Sequence, residues 1–168
     1  MLGAYDFSKI SVLIVDDSKF MRSLVMGILH GFGVRDFHLA ADGAEALHHQ
    51  SLTPADLIIT DYVMSPIDGV ELTRTIRNEL ANTNPFVPII LMTAYTEKSR
   101  VIAARDAGIT EFLAKPVTVN SVLERVITCI ERPRRFVRAK DYFGPDRRRT
   151  GETKYPGEER RKAVLLPG

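Results

Sequence analysis

Residues Ser11–Ser18 read SVLIVDDS: an apolar run of strand length, then two aspartates, then a serine. A run that is apolar throughout, rather than at alternate positions, belongs to a strand buried on both faces. Ser18 is placed to cap a helix whose apolar positions Met21, Leu24, Val25, Ile28 and Leu29 fall at helical spacing until Gly31 and Gly33 stop it. The same unit then recurs. Asp36–Ala41 reads as a strand and Gly43–Gln50 as a short helix. Asp56–Thr60 (DLIIT) is a further apolar strand that runs into an aspartate, and Val70, Leu72, Ile76 and Leu80 give the next helix. Pro88–Met92 (PIILM) precedes a helix over Lys98–Ala107, ended by Gly108. Glu111–Ala114 precedes a last helix, Val119–Ile130, whose inner face is expected to carry Val122, Leu123, Val126, Ile127 and Ile130.

Five βα units with such strands predict an α/β fold, a five-stranded parallel sheet doubly wound by helices on both faces. Ligands of such sheets bind beyond the carboxyl ends of the strands. Asp16 and Asp17 follow the first strand, Asp61 the third, Thr93 the fourth and Lys115 the fifth. Alone, each is more simply a cap or turn residue; together at one end they mark a site. Three carboxylates in one cleft repel one another and call for a cation, and oxygen ligands without His or Cys favour Mg²⁺ over Zn²⁺. That set suits phosphoryl transfer. Asp61 would be the nucleophile, Mg²⁺ and Lys115 would neutralise the transferring group, and the Thr93 hydroxyl would hydrogen-bond a phosphoryl oxygen.

The 168 residues carry 23 Lys+Arg against 21 Asp+Glu, a formal charge of +2, and are 45% apolar. This composition excludes a wholly disordered chain. No apolar run approaches the ~20 residues of a membrane span. The N-terminus lacks the pattern of a secretory signal, and the single cysteine, Cys129, cannot form an internal disulfide. A cytoplasmic protein is expected. The near-neutral total hides a split: residues 1–131 sum to −5 and residues 132–168 to +7. The latter hold four of the nine prolines and few aliphatic residues before Ala163. Two parts are therefore expected, a folded domain over 1–131 and a basic arm over 132–168, disordered unless ligand-bound.

Four motifs resemble the receiver domain of response regulators, the fold typified by the chemotaxis protein CheY. They are VDDS (Val15–Ser18), TDYVMSPIDG (Thr60–Gly69), LMTA (Leu91–Ala94) and AKPV (Ala114–Val117). The resemblance spans about residues 10–131. It implies that Asp61 accepts phosphate from a histidine kinase or phosphotransfer protein. It also implies that Asp16, Asp17, Asp61 and the main-chain carbonyl of Val63 bind Mg²⁺, and that Thr93 and Lys115 sense the phosphoryl group. No enzymatic activity beyond this self-phosphorylating chemistry is expected. Phe112 matches the family's switch aromatic, and a buried strand aromatic accounts for it equally well. Three features depart from the pattern: Met64-Ser65-Pro66 stands where Met-Pro is usual, Val63 offers no polar group to orient water, and Tyr95 is bulky. A long-lived acyl phosphate is expected.

The arm repeats itself. YFGPDRRR (Tyr142–Arg149) and YPGEERRK (Tyr155–Lys162) align at a period of 13, pairing tyrosine, glycine, carboxylate and a basic triplet. An arginine fork reads guanine O6 and N7, a carboxylate can accept from the opposite edge, and tyrosine stacks on purines. Remaining arginines suit phosphates. A ligand with two guanines and two phosphates satisfies the doubled motif, which points to cyclic di-GMP. The arm is also similar to the arginine-rich extension of the Cle proteins, CheY-like effectors of cyclic di-GMP. That resemblance implies a partner in the flagellar motor switch, reduced motility with surface attachment, and a location at the motor or pole. Candidate nucleotide ligands are Tyr142, Asp146, Arg147, Arg148 and Arg149, then Tyr155, Glu159, Arg160 and Arg161. Arg134, Arg135 and Arg138 are weaker, since they could simply serve the dipole of the preceding helix. Two alternatives stand beside this reading: a nucleic-acid-binding regulator gripping with the arm, and a phosphorelay shuttle with an inert tail. Against nucleic acid, no helix-turn-helix follows residue 131 and five carboxylates interrupt the arm.

Overall fold

The computed structural model describes residues 6–78, 84–94 and 98–148, together with the backbone of 162–164. After a short 3-10 turn at Phe7–Lys9, the chain alternates strands and helices. These are β1 (Ser11–Val15), α1 (Lys19–Gly31), β2 (Asp36–Ala40), α2 (Gly43–Leu52), β3 (Leu57–Asp61), α3 (Gly69–Arg77), β4 (Ile89–Thr93), α4 (Lys98–Ala107), β5 (Glu111–Ala114) and α5 (Val119–Glu131). The strands form one parallel sheet in the order β2-β1-β3-β4-β5. The expected α/β doubly wound fold is therefore the observed one. Strand order reverses at β1, where Val15 lies beside Thr60 of β3, and the carboxyl ends of these two strands open a crevice.

Continuous apolar strands make this two-sided burial possible. Leu13, Ile58, Ile89 and Leu91 face Leu72 and Ile76 of α3 and Ala104 and Ala107 of α4. Their neighbours Val12, Ile14, Ile59, Ile90 and Met92 face Val25 and Leu29 of α1 and Val122 and Val126 of α5. Each fully buried Leu or Ile contributes ~1.5–3 kcal/mol against an exposed reference. Among the described residues, no helix is long and apolar enough to cross a membrane.

Two helix faces differ from expectation. The inner stripe of α5 runs through Val122, Val126 and Cys129, while Ile130 is 42% exposed. Leu24 of α1 likewise faces outward. Spacing fixes a stripe to within a residue or so, and contact with the sheet decides its phase. Leu80 lies outside the described residues.

The larger correction concerns the arm, because residues 133–148 are built onto the receiver. The cap of α5 is Arg132, whose N–H donates to the Thr128 carbonyl. Then come β6 (Phe136–Ala139) and β7 (Tyr142–Pro145), an antiparallel pair, with β8 (Lys162–Val164) on the other edge of β6. Phe136 and Val137 are buried. The Phe136 ring meets Phe86 at 5.2 Å and Phe143 at 5.6 Å between centroids. Beneath it lies Arg77, the last residue of α3, its guanidinium 4.9 Å from the Phe136 centroid. Arg77 donates to the carbonyls of Gly108, Pro85 and Val87 at 3.1, 2.7 and 2.8 Å. Gly108 has φ +104°, and a Cβ there would stand 2.9 Å from Arg77 Cγ, so glycine serves both backbone and packing. The arm's few apolar residues need no core of their own, since the receiver supplies one. Pro85 and Val87 precede β4, and Gly108 precedes β5, so the hairpin docks at the amino end of the sheet.

Candidate functional site

At the carboxyl ends of the strands, β1 delivers Asp16, which is 1% exposed, and β3 ends on Asp61, which is 8% exposed. Asp61 is thus the last residue of its strand rather than the first of the loop. Asp17 is exposed at the rim. One carboxylate oxygen from each of Asp16, Asp17 and Asp61 falls within 4.8 Å of the others. Lys115 Nζ lies 2.8 Å from Asp61 Oδ1 and 3.6 Å from Asp16 Oδ2. Thr93 ends β4, nearly buried, and its carbonyl accepts from the Lys115 amide at 2.9 Å. Five residues from four strands thus converge, as their positions at strand ends require.

Burial pushes the Asp16 carboxyl up, and the nearby Asp61 charge adds to this against the Ser18 amide, which donates to Asp16 Oδ1 at 2.8 Å. Burial also works against the Lys115 ammonium, but the hydrogen bond and charge of Asp61, with the charge of Asp16, outweigh it and raise its pKa. Asp16 Oδ2 is buried and accepts no hydrogen bond. A buried carboxylate oxygen beside two further carboxylates is what a hard divalent cation satisfies, so these residues fit Mg²⁺.

Two positions that shape the site escaped the sequence reading. Arg22 donates to the main-chain carbonyls of Asp16 and Asp17 and so fixes the turn that aims them. Only its i+4 relation to Ser18 hinted at this. Gly69 opens α3 directly against β3: a Cβ there would stand 2.1 Å from the Asp61 carbonyl oxygen, and its N–H donates to the Tyr62 carbonyl at 3.0 Å. Among the expected residues, Phe112 is partly buried against the core on the α3 and α4 side. Val63 is 49% exposed. Tyr95 lies outside the described residues.

A profile of the response regulator receiver domain matches residues 12–127. The chain belongs to the response-regulator receiver family. It is 31% identical over 123 residues to the chemotaxis protein CheY-3 of Vibrio cholerae, covering 72% of this chain and 92% of that one. It is 29% identical over 121 residues to the chemotaxis protein CheY of Pseudomonas aeruginosa, covering 72% and 96%. Among solved structures, CheY4 of Vibrio cholerae superposes with a TM-score of 0.64 at 31% identity, covering 70% of this chain and 95% of that one. A Francisella response regulator receiver domain gives a TM-score of 0.66 at 27% identity, covering 74% and 98%. Receivers of this family carry phosphate on an aspartate and bind Mg²⁺ in the acidic pocket that Asp16, Asp17 and Asp61 form here.

The basic residues of the arm divide into two groups. Tyr142 and Arg147 stack on each other, guanidinium to ring centroid 4.3 Å, and Arg147 pairs with Asp106 of α4 at 3.1 Å. The Tyr142 hydroxyl donates to the Pro145 carbonyl at 2.7 Å, and burial raises its pKa although Arg147 opposes this. Asp146 and Arg148 instead join Arg134 and Arg135 around a cleft of about 490 Å³ beside α5. There the Asp146 carboxylate accepts from the Arg148 amide at 3.1 Å, and the Asp146 amide donates to the Arg135 carbonyl at 2.7 Å. Two of the weaker arginines have partners other than the end of α5. Arg134 pairs with Glu111 of β5 at 3.1 Å, and Arg138 lies 4.7 Å over the Phe143 ring. Arg149, Tyr155, Glu159, Arg160 and Arg161 lie outside the described residues.

Proposed function

We propose that this chain is a response regulator that takes phosphate on Asp61 and reads cyclic di-GMP through its arginine-rich arm. In the first reaction an Asp61 oxygen attacks the phosphorus of a phosphohistidine, the P–N bond breaks, and imidazole leaves as the acyl phosphate forms. Asp16, Asp17, Asp61 and the carbonyl of Val63 would hold Mg²⁺, which when bound supplies charge neutralisation at the phosphoryl oxygens. Lys115 contributes a second positive charge from 2.8 Å, and the Thr93 hydroxyl donates to a phosphoryl oxygen. The observation that carries this half is the convergence of three carboxylates within 4.8 Å beside one ammonium group. Incubation with acetyl phosphate and Mg²⁺ should add one phosphoryl mass to the parent chain and none to Asp61→Asn; labelling of that variant would move the acceptor elsewhere.

The nucleotide half is supported by the doubled motif and by the convergence of Asp146, Arg148, Arg134 and Arg135 on one cleft. The arm's likeness to the Cle extension extends the reading to output. Ligand-bound protein would act on the flagellar motor switch, at the motor or pole, reducing motility and favouring attachment. Calorimetric titration of cyclic di-GMP into the parent and into a double variant, Arg147→Ala with Arg148→Ala, tests it. Sub-micromolar binding lost in the variant supports the reading. Absence of binding to the parent overturns it and leaves the shuttle alternative. Binding to any polyanion with a steep salt dependence would favour the nucleic-acid alternative.

A further inference from the structure

The cleft of about 490 Å³ at the amino end of the sheet has two walls, and only one belongs to the arm. The other is α5 of the receiver. Arg125 and Thr128 are spaced i, i+3 on that helix, so they share one face, and both line the cleft together with Arg132, the residue that caps α5. Glu111, 3% exposed at the start of β5, holds Arg125 at 3.5 Å and Arg134 at 3.1 Å. One buried carboxylate thus anchors an arginine from each wall. Counting the lining, the five arginines 125, 132, 134, 135 and 148 face the carboxylates of Glu111, Glu124 and Asp146, an excess of two positive charges. Two phosphodiester groups carry two negative charges. The volume lies within the ~300–1,000 Å³ of pockets that take ligands of this size.

From this geometry we infer that the nucleotide site is composite, with Arg125 on α5 supplying the receiver's share of the phosphate contacts. The inference rests on the cyclic di-GMP reading above and adds to it residues that the arm motif does not contain. Glu111 acts as a positioning residue, since it orients both guanidinium groups without needing to touch the ligand. A ligand in this cleft ties the arm to α5. The arm alone then presents only part of the contacts.

The test is calorimetric titration of cyclic di-GMP into the full chain carrying Arg125→Ala, Arg125→Lys, Arg148→Ala or Arg35→Ala. Arg35 precedes β2 on the far edge of the sheet and serves as the charge control. Arg125→Ala should weaken binding about tenfold or more, as loss of a charge-assisted hydrogen bond does. Lysine should restore only part of this, because it keeps the charge and loses the fork. Arg35→Ala should bind like the parent. Thermal melting verifies that each variant is folded, and amide spectra of the parent provide a second measure: saturating nucleotide should shift Glu111 and Thr128. If Arg125→Ala binds like the parent while Arg148→Ala does not, and shifts are confined beyond residue 132, the site lies in the arm alone. The composite site is then wrong and the nucleotide reading stands. Equal weakening by Arg35→Ala overturns it in favour of diffuse attraction. A parent chain that binds no cyclic di-GMP removes the nucleotide reading, and the inference with it.

Discussion

At the carboxyl end of the sheet, three carboxylates crowd within 4.8 Å, and two of them, Asp16 and Asp61, share the ammonium of Lys115. At the amino end, one buried carboxylate, Glu111, is shared by the guanidinium groups of Arg125 and Arg134. The ends carry opposite excess charge, and they are also built differently. The acidic end is assembled by the parallel sheet, since each residue sits at or just past the end of its strand, with Arg22 of α1 and Gly69 of α3 shaping the turns. The basic end depends on an added hairpin that reaches the receiver through Phe136, Val137 and the Arg77 bolt. A five-residue strand separates the two by ~17 Å. A site made from strand ends is preorganised by the fold, whereas a site made against a docked hairpin persists only while the docking does.

Undocking the hairpin should therefore dismantle the basic end and spare the acidic one. Phe136→Ala removes a buried ring that packs on Phe86 and Arg77, and should cost about 3–5 kcal/mol at that end, read as a lower melting temperature. Cys129 reports on this directly, because it shares a small pocket with Pro133, Arg134 and Phe136. Burial, with the Glu111 charge, pushes its thiol up to about 12. In the parent a thiol reagent at pH 8 should react very slowly, and Phe136→Ala should speed it. The folded thiol ionises above its unfolded value of 9.0, so its stabilising contribution is complete below pH 9 and lost as pH rises to about 12. Melting of a Cys129→Ala variant should lack that contribution. If Phe136→Ala also slows phosphorylation by acetyl phosphate, the two ends are not independent and the comparison breaks.

The reciprocal change strikes the acidic end. Gly69→Ala forces a Cβ to within 2.1 Å of the Asp61 carbonyl, so α3 must shift, at about 1–3 kcal/mol. Slower labelling of Asp61 with unchanged Cys129 reactivity would sharpen the contrast; a change in both would show that α3 transmits between its two ends. The smallest effect concerns the phosphoryl lifetime. Val63 is exposed and offers no polar group, so Val63→Glu should speed loss of the phosphoryl label about tenfold, about 1.4 kcal/mol in barrier. A parent chain that lost its label within seconds in Mg²⁺ would remove the premise.

The sequence was legible where local pattern and final environment agree. SVLIV, DLIIT and PIILM could only be strands buried on two sides, and the polar residues that end them could only gather at one edge. It was less legible where partners are distant. Nothing beside Phe136 in the chain marks it as an anchor, because its partners Phe86 and Arg77 lie fifty or more residues away. Apart from the i+4 relation of Arg22 to Ser18, Arg22 and Gly69 carried no sign of their roles, since a carbonyl clamp and a missing Cβ matter only once backbones are close.

By itself, then, the sequence determined the sheet, its doubly wound helices and the acidic cluster, because hydrophobic periodicity and strand-end position are local properties that the parallel fold merely sums. Tertiary structure alone decided that Ile130 faces outward, that Tyr142 and Arg147 stack on each other, and that Arg134 and Arg135, the weaker candidates just past α5, line a cleft with Arg148. Each of those outcomes is a competition among long-range contacts, and a one-dimensional pattern holds no record of which contact is nearer.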